Sequence, residues 1–148
     1  MNNDKKMNKE KEKIKEEKEK EKYNYISLKD VLIFVDMLNN KYIGIKEHIY
    51  YISLEKQDPE IYINYVNKLE RQKTKNTGTW SGFKQLYENI KNNGFDFKNN
   101  DSIIIKKINN NYFCLHGRHR ICMMRHLYGD NVKITLKGNK ICNIEVKK

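Results

Sequence analysis

The sequence predicts an α+β domain in which helices pack against a small mixed β-sheet. Two amphipathic runs at helical spacing each end at a glycine, Gly94 and Gly129. Between and after these runs lie stretches rich in β-branched residues, one of them interrupted by Asn109-Asn110. Because both patterns recur within one short span, the helices are expected to pack against the sheet.

The composition divides the chain at Tyr23. Residues 1–22 form a Lys/Glu run without Pro or Gly, which we expect to be a charged helix or a disordered tail. This run holds nine lysines against seven acidic residues, so it carries +2 of the net charge of +11 and leaves +9 on residues 23–148. We expect residues 23–148 to fold as a single domain, and their charge favours a polyanionic or phosphorylated partner.

The first half of this domain is expected to contain two helices. Ser27 can cap a helix whose apolar residues recur at helical spacing, although the run 31–35 fits a buried strand equally well. Residues 41–54 are irregular and aromatic. Asp58-Pro59-Glu60 is a strong helix start, and the tyrosines of the helix that follows are expected in the core rather than as a stacking platform for bases. The apolar positions of the two helices are Leu28, Val31, Leu32, Val35 and Leu38, then Ile61, Tyr62, Tyr65, Val66 and Leu69.

The second half is expected to alternate helices and strands. Residues 71–79 are polar and predict a loop, and 80–93 predict a helix. Residues 103–108 and 111–115 predict a hairpin that turns at Asn109-Asn110. A helix over 118–128 follows, and 132–136 and 141–146 predict two closing strands joined by a turn at 137–140.

The stretch around Gly117 carries the main functional signal. An apolar run meets Gly117, and Arg118, His119 and Arg120 then occupy the first turn of the next helix. Cations are locally unfavourable there, because the free N–H groups already make a helix N-terminus partly positive. A bound anion would remove this conflict, so the residues predict a phosphate site. The alternative is an exposed basic helix start whose arginines pair with nearby carboxylates.

Residues 80–146 also resemble a known family. The run L-Y-E-N-I-K-N-N-G, followed by a hairpin and by Gly117-Arg118-His119-Arg120, is similar to the N-terminal domain of ParB and the wider ParB/sulfiredoxin superfamily. In that superfamily a helix ending in glycine leads to a hairpin and then to a box of the form G-x-R-R or D-G-x-H-R. The upstream I-K-E-H-I-Y-Y-I resembles a bacterial ParB-like subgroup encoded beside surface-glycan biosynthesis genes.

The resemblance implies nucleotide binding. Arg118 and Arg120 would hold the phosphates of ATP or CTP, with Mg²⁺ as the expected companion, Gly117 would admit them, and His119 would hydrogen-bond a phosphate oxygen or orient the loop. His116, in the position where many members carry an acid, completes the candidate nucleotide site. Sulfiredoxins carry a catalytic cysteine immediately before the His-Arg pair. Since Arg118 stands there in this chain, sulfinic acid reduction is not expected.

Whether the domain is an enzyme stays open at this stage. Relatives in the superfamily are kinases of free serine, so phosphotransfer to a small-molecule acceptor and nucleotide hydrolysis are the reactions to consider. Phosphoryl transfer needs Mg²⁺ and often a carboxylate that orients the nucleophile. Glu47, beside His48, is the candidate catalytic pair, and the alternative for Glu47 is a surface carboxylate paired with a lysine.

Other functional classes remain as alternatives. His119, Cys122 and His126 share a helical face and could bind zinc with His116 or Cys114, although we expect no metal site. A DNA-associated, nuclease-type ParB-like domain is another alternative, but too few residues follow Arg120 for a helix-turn-helix module. A third is a degenerate, non-catalytic interaction module.

The location and the cysteines complete the expectations. No apolar run is long enough to span a membrane and no signal peptide is visible, so we expect a cytoplasmic protein. Cys114, Cys122 and Cys142 form no C-x-x-C pair, which predicts reduced thiols, some of them buried.

Overall fold

The computed structural model describes residues 22–69 and 76–146. The predicted charged tail, apart from Lys22, and residues 71–75 of the predicted loop lie outside the described residues. Within them, the α+β prediction is confirmed: helices lie against one mixed, seven-stranded sheet.

The sheet has the strand order β1-β6-β7-β4-β5-β2-β3. Only β2 and β5 pair in parallel, and every other neighbouring pair is antiparallel. This arrangement makes β1 and β3 the two edges of the sheet. The strands are β1 (Tyr23–Ser27), β2 (Val31–Asp36), β3 (Lys41–Gly44), β4 (Ile104–Ile108), β5 (Asn111–His116), β6 (Val132–Lys137) and β7 (Lys140–Val146).

The described residues contain the α-helices α1 (Ile49–Lys56), α2 (Pro59–Asn67), α3 (Trp80–Asn93) and α4 (Arg118–Tyr128). Two N-caps follow the expected chemistry, since Asp58 accepts the N–H of Glu60 and Thr79 accepts the N–H of Gly82. Short 3₁₀ turns occupy Leu28–Asp30, Ile45–Glu47 and Asn76–Gly78.

The second half of the chain follows the predictions closely. Helices α3 and α4 begin and end at the predicted residues. Asn109 and Asn110 have φ angles of 50° and 70°, as a tight hairpin turn between β4 and β5 requires. The predicted bounds of these elements match the observed ones because glycine and asparagine mark where the elements end.

The predicted helix after Ser27 is wrong. Leu28–Asp30 form a single 3₁₀ turn, the side chain of Ser27 makes no cap hydrogen bond, and Val31–Asp36 form strand β2. The alternative of a buried strand is therefore the correct one. Strand β2 lies between β3 and β5, where its β-branched residues pack well. The segment predicted to be irregular, 41–54, contains β3, a 3₁₀ turn and most of α1.

One face of the sheet and the four helices share a single hydrophobic core. Strand residues such as Ile26, Val31 and Ile134 alternate into this core and meet Phe83 and Met123 from the helices. The other face carries a smaller aromatic cluster, in which Phe34 stacks on Phe113 and Tyr42 meets both rings edge-on.

Candidate functional site

Gly117 forms the entry to α4. It is the N-cap of the helix with a φ of 90°, which favours glycine, and it has no side chain to cap the helix. A Cβ at this position would lie 2.9 Å from Cγ1 of Ile103 and 3.1 Å from the carbonyl oxygen of Ser102. The backbone therefore turns into α4 in direct contact with the segment before β4, and only glycine fits without strain.

Arg120 is held by a carboxylate. Its Nε donates to Oδ1 of Asp101 over 2.8 Å, and Oδ2 of Asp101 accepts the backbone N–H of Asp96 over 2.7 Å. The side chain of Asp101 is only 12% exposed, so this ion pair is partly shielded from water. Arg120 therefore fits the alternative in which an arginine of the box pairs with a nearby carboxylate. Its hydrogen bond to Asp101 uses Nε, so the two terminal nitrogens can still donate to another acceptor.

Arg118 has different surroundings. Its side chain is half-buried, and no carboxylate of residues 22–69 or 76–146 forms an ion pair with it. Its positive charge acts instead on neighbouring groups that are neutral at pH 7, namely His48, Tyr65, Cys114 and Cys122. The first turn of α4 therefore carries a partly buried cation beside neutral groups.

His48 is a buried, neutral histidine. Burial, together with the charge of Arg118, lowers its pKa to about 4. Its Nδ1 caps α1 by accepting the backbone N–H of Tyr50 over 3.1 Å, so the proton of the neutral ring sits on Nε2. His48 can therefore donate a hydrogen bond through Nε2, but it is poorly suited to accept a proton.

Glu47 lies at the end of the 3₁₀ turn Ile45–Glu47, which packs against α4. The side chain is exposed. The ion pairs among the described residues do not include Glu47, so the alternative of a carboxylate paired with a lysine finds no lysine partner there. The turn that carries Glu47 packs against α4, and Lys46 of this turn pairs with Asp130, which lies just beyond the C-terminal end of that helix. Of the candidate pair, His48 is the residue on which the charge of Arg118 acts.

The ring of His119 stacks on Tyr50, with centroids 4.1 Å apart and planes 16° from parallel. It also lies 5.9 Å from the ring of Phe83. The imidazole is thus oriented by aromatic residues of α1 and α3. His116 is exposed at the end of β5, and its carbonyl oxygen accepts the thiol of Cys114.

The residues of the zinc alternative have other partners. His126 lies between the hydroxyl of Tyr87, 2.8 Å from Nδ1, and a carboxylate oxygen of Glu55, 3.1 Å from Nε2. Cys122 is buried, and burial raises the pKa of its thiol well above the usual value. Among the described residues, no three side chains of His, Cys, Asp or Glu are arranged to hold a metal ion.

Sequence reasoning missed two residues of this site. Asp101 lies in the segment before β4 and meets Arg120 only because the β4–β5 hairpin brings them together. Tyr50 lies in the segment expected to be irregular, and it stacks on His119 only because α1 packs against α4. Neither contact can be predicted from spacing along the chain. The position of Asp101, an acidic residue just before a predicted strand, is the one signal that could have indicated it as a site residue.

Comparison with known proteins found no similar protein: the chain matches no protein-family model, no curated protein and no solved structure. None of the helices within the described residues has the length and apolar character to cross a membrane.

Proposed function

We propose that the first turn of α4 binds the phosphates of a nucleoside di- or triphosphate. The observation that carries this proposal is Arg118, a half-buried cation at a helix N-terminus without a carboxylate partner among the described residues. A partly buried charge is unfavourable unless an opposite charge compensates it. A phosphate would supply that charge, and the helix N-terminus adds a favourable dipole.

The rest of the box fits the same ligand. The first turn of α4 contains no acidic residue that would repel an anion, and Gly117 leaves the helix end without a side chain of its own. Arg120 is fixed through Nε by Asp101, which orients its two terminal nitrogens as a fork for a phosphate oxygen pair. Arg118 would then supply the compensating charge and Arg120 a pre-oriented contact.

The order of elements supports a ParB/sulfiredoxin-like assignment. Helix α3 ends before Gly94, the β4–β5 hairpin follows, and the glycine-arginine box opens α4. This is the succession that the resemblance implies. On this assignment the ligand is ATP or CTP with Mg²⁺, and the protein acts in the cytoplasm.

The enzymatic part of the proposal is phosphotransfer to a small-molecule acceptor. Glu47 would hold Mg²⁺ or orient the acceptor hydroxyl, since phosphoryl transfer needs such a carboxylate and its side chain is exposed. His48 would donate through Nε2 to a phosphate oxygen, since its low pKa keeps the ring neutral. Its role is therefore to position a phosphate, and a general base would have to be Glu47.

The test is nucleotide-dependent stabilisation of the full chain against heat, compared between the native protein and Arg118→Ala. Ligand at about a hundred times its Kd stabilises a fold by roughly 2.7 kcal/mol, which moves Tm by several degrees. Arg118→Lys keeps the charge but not the planar fork, so it separates charge compensation from bidentate binding.

A further inference from the structure

The face of the sheet turned away from the helices has an exposed corner formed by β1, β6 and β7. In β1 and β6, Ile26, Ile134 and Leu136 alternate into the core, so the residues between them point to the opposite face. We call this corner the tyrosine–lysine face. It consists of Tyr23, Tyr25, Lys133, Lys137 and Lys140.

Two tyrosines at this corner are unusually exposed. Tyr25 retains 75% of its accessible surface and Tyr23 retains 51%. They are two residues apart on one strand, so their side chains leave the same face about 7 Å from one another. Large aromatic rings are costly to leave in water, and two exposed rings on one face of a strand provide two stacking positions.

Two lysines of this corner lie opposite each other on neighbouring strands. Lys137 and Lys140 are direct cross-strand partners in β6 and β7, and like charges placed directly opposite destabilise a sheet. No carboxylate within the described ranges forms an ion pair with either lysine. Lys137 also lies over the ring of Tyr23, with its Nζ 6.0 Å from the ring centroid. Only Lys133 has an acidic partner in register, Glu145.

We infer that the tyrosine–lysine face binds single-stranded nucleic acid. Two exposed rings on one face accept two unstacked bases, and the opposed lysines accept the phosphates that connect them. A duplex buries its bases, so it could use the lysines but not the rings. An anionic protein or lipid surface would likewise use the charges without requiring two aromatic planes. This site is separate from the proposed phosphate site on α4 and does not depend on it.

The experiment measures fluorescence anisotropy of labelled oligo-dT and oligo-U with the full-length protein at increasing salt. Tyr25→Ala should weaken binding of one or both strands by about tenfold, whereas Tyr25→Phe, which keeps the ring, should leave the affinity unchanged. Because the Tyr25 side chain is mostly exposed, neither substitution removes core contacts. Circular dichroism verifies that both variants are folded.

A charge-matched pair of variants tests the lysines. Lys137→Gln with Lys140→Gln should weaken binding and make the slope of log affinity against log salt shallower by about 1.4. The control, Lys56→Gln with Lys91→Gln, removes the same charge from the exposed ends of α1 and α3 and should change neither quantity. Arg118→Ala should also bind the strands normally.

Three kinds of result would overturn the inference. The first is that neither strand binds to the native protein. The second is that Tyr25→Ala binds as tightly as the native protein, or that both lysine pairs weaken binding equally, which would show non-specific attraction to a basic protein. The third is that duplex DNA or vesicles with anionic lipid bind as tightly as the single strands with the same dependence on Lys137 and Lys140.

Discussion

Arg120 donates its Nε–H to Oδ1 of Asp101 over 2.8 Å, and this pair ties the first turn of α4 to the segment that precedes β4. The second oxygen of Asp101 is also engaged, by the backbone N–H of Asp96. The carboxylate therefore fixes both a loop and an arginine. Arg120 thus has a structural partner, whereas Arg118 in the same turn has no carboxylate partner within the described residues.

Asp101→Asn should destabilise the fold by about 1.5–3 kcal/mol, because it weakens a partly buried, charge-assisted pair and one backbone contact. Chemical denaturation measures this loss. A double-mutant cycle with Arg120→Gln isolates the contribution of the pair, and a coupling energy near zero would show that the contact is energetically irrelevant.

Gly117→Ala should be more destabilising than the same substitution at Gly129. Both glycines have positive φ, 90° and 82°, so both substitutions introduce backbone strain of about 1 kcal/mol. At Gly117 the new Cβ would also press on Ile103 and on the Ser102 carbonyl, whereas at Gly129 nothing lies within 4 Å. We expect a difference of about 1–2 kcal/mol in the free energy of unfolding. Equal losses would mean that the contact with Ile103 relaxes freely.

His48 should make the protein less stable as the pH falls. Its pKa is about 4 in the folded protein and 6.5 when exposed, so between these values only the unfolded chain takes up a proton. Above about pH 6.5, His48 does not change the free energy of unfolding. At pH 4 it lowers this free energy by roughly 3 kcal/mol.

The matched control for this effect is His48→Asn, because asparagine can still cap α1 by accepting the N–H of Tyr50. Denaturation of the native protein and of His48→Asn at a series of pH values gives the difference between their free energies of unfolding. Other titrating groups are common to the two proteins and cancel. A difference that does not change with pH would show that His48 is accessible to protons in the folded state.

The cysteines should differ in reactivity. Cys114 and Cys122 are buried and Cys142 is exposed. Burial raises the pKa of the Cys114 thiol to about 12, which leaves almost no thiolate. A thiol reagent should therefore modify Cys142 alone in the folded protein and all three cysteines after denaturation. Rapid modification of Cys122 without unfolding would contradict the packing of α4 against α1.

The sequence predicted elements whose ends have chemical markers. Helices α3 and α4 stop before Gly94 and Gly129, and Asn109-Asn110 turn the β4–β5 hairpin. It favoured a helix over β2 and kept the strand only as an alternative, because the apolar spacing after Ser27 suits both and the pairing with the distant β5 decides between them. Strand β1 was not predicted, because it is formed by pairing with β6, which is distant in the sequence.

The local part of the candidate site was predicted from the sequence, and its tertiary contacts were not. The Gly117–Arg120 box is local, and the structure has the glycine turn and the helix start where the sequence indicated them. The partner of Arg120 and the stacking partner of His119 come from α1 and from the segment before β4. Such contacts depend on tertiary packing, so spacing along the chain cannot reveal them.

The measurement that tests the central proposal most directly is a thermal-shift series with ATP, ADP, CTP and GTP, each with and without Mg²⁺. It compares the native protein, Arg118→Ala and the control Lys91→Ala, whose lysine is exposed in the last turn of α3. We predict that one nucleotide raises Tm by several degrees in the native protein and in the control but not in Arg118→Ala. No shift with any nucleotide, or an equal shift in all three proteins, would contradict phosphate binding by the first turn of α4.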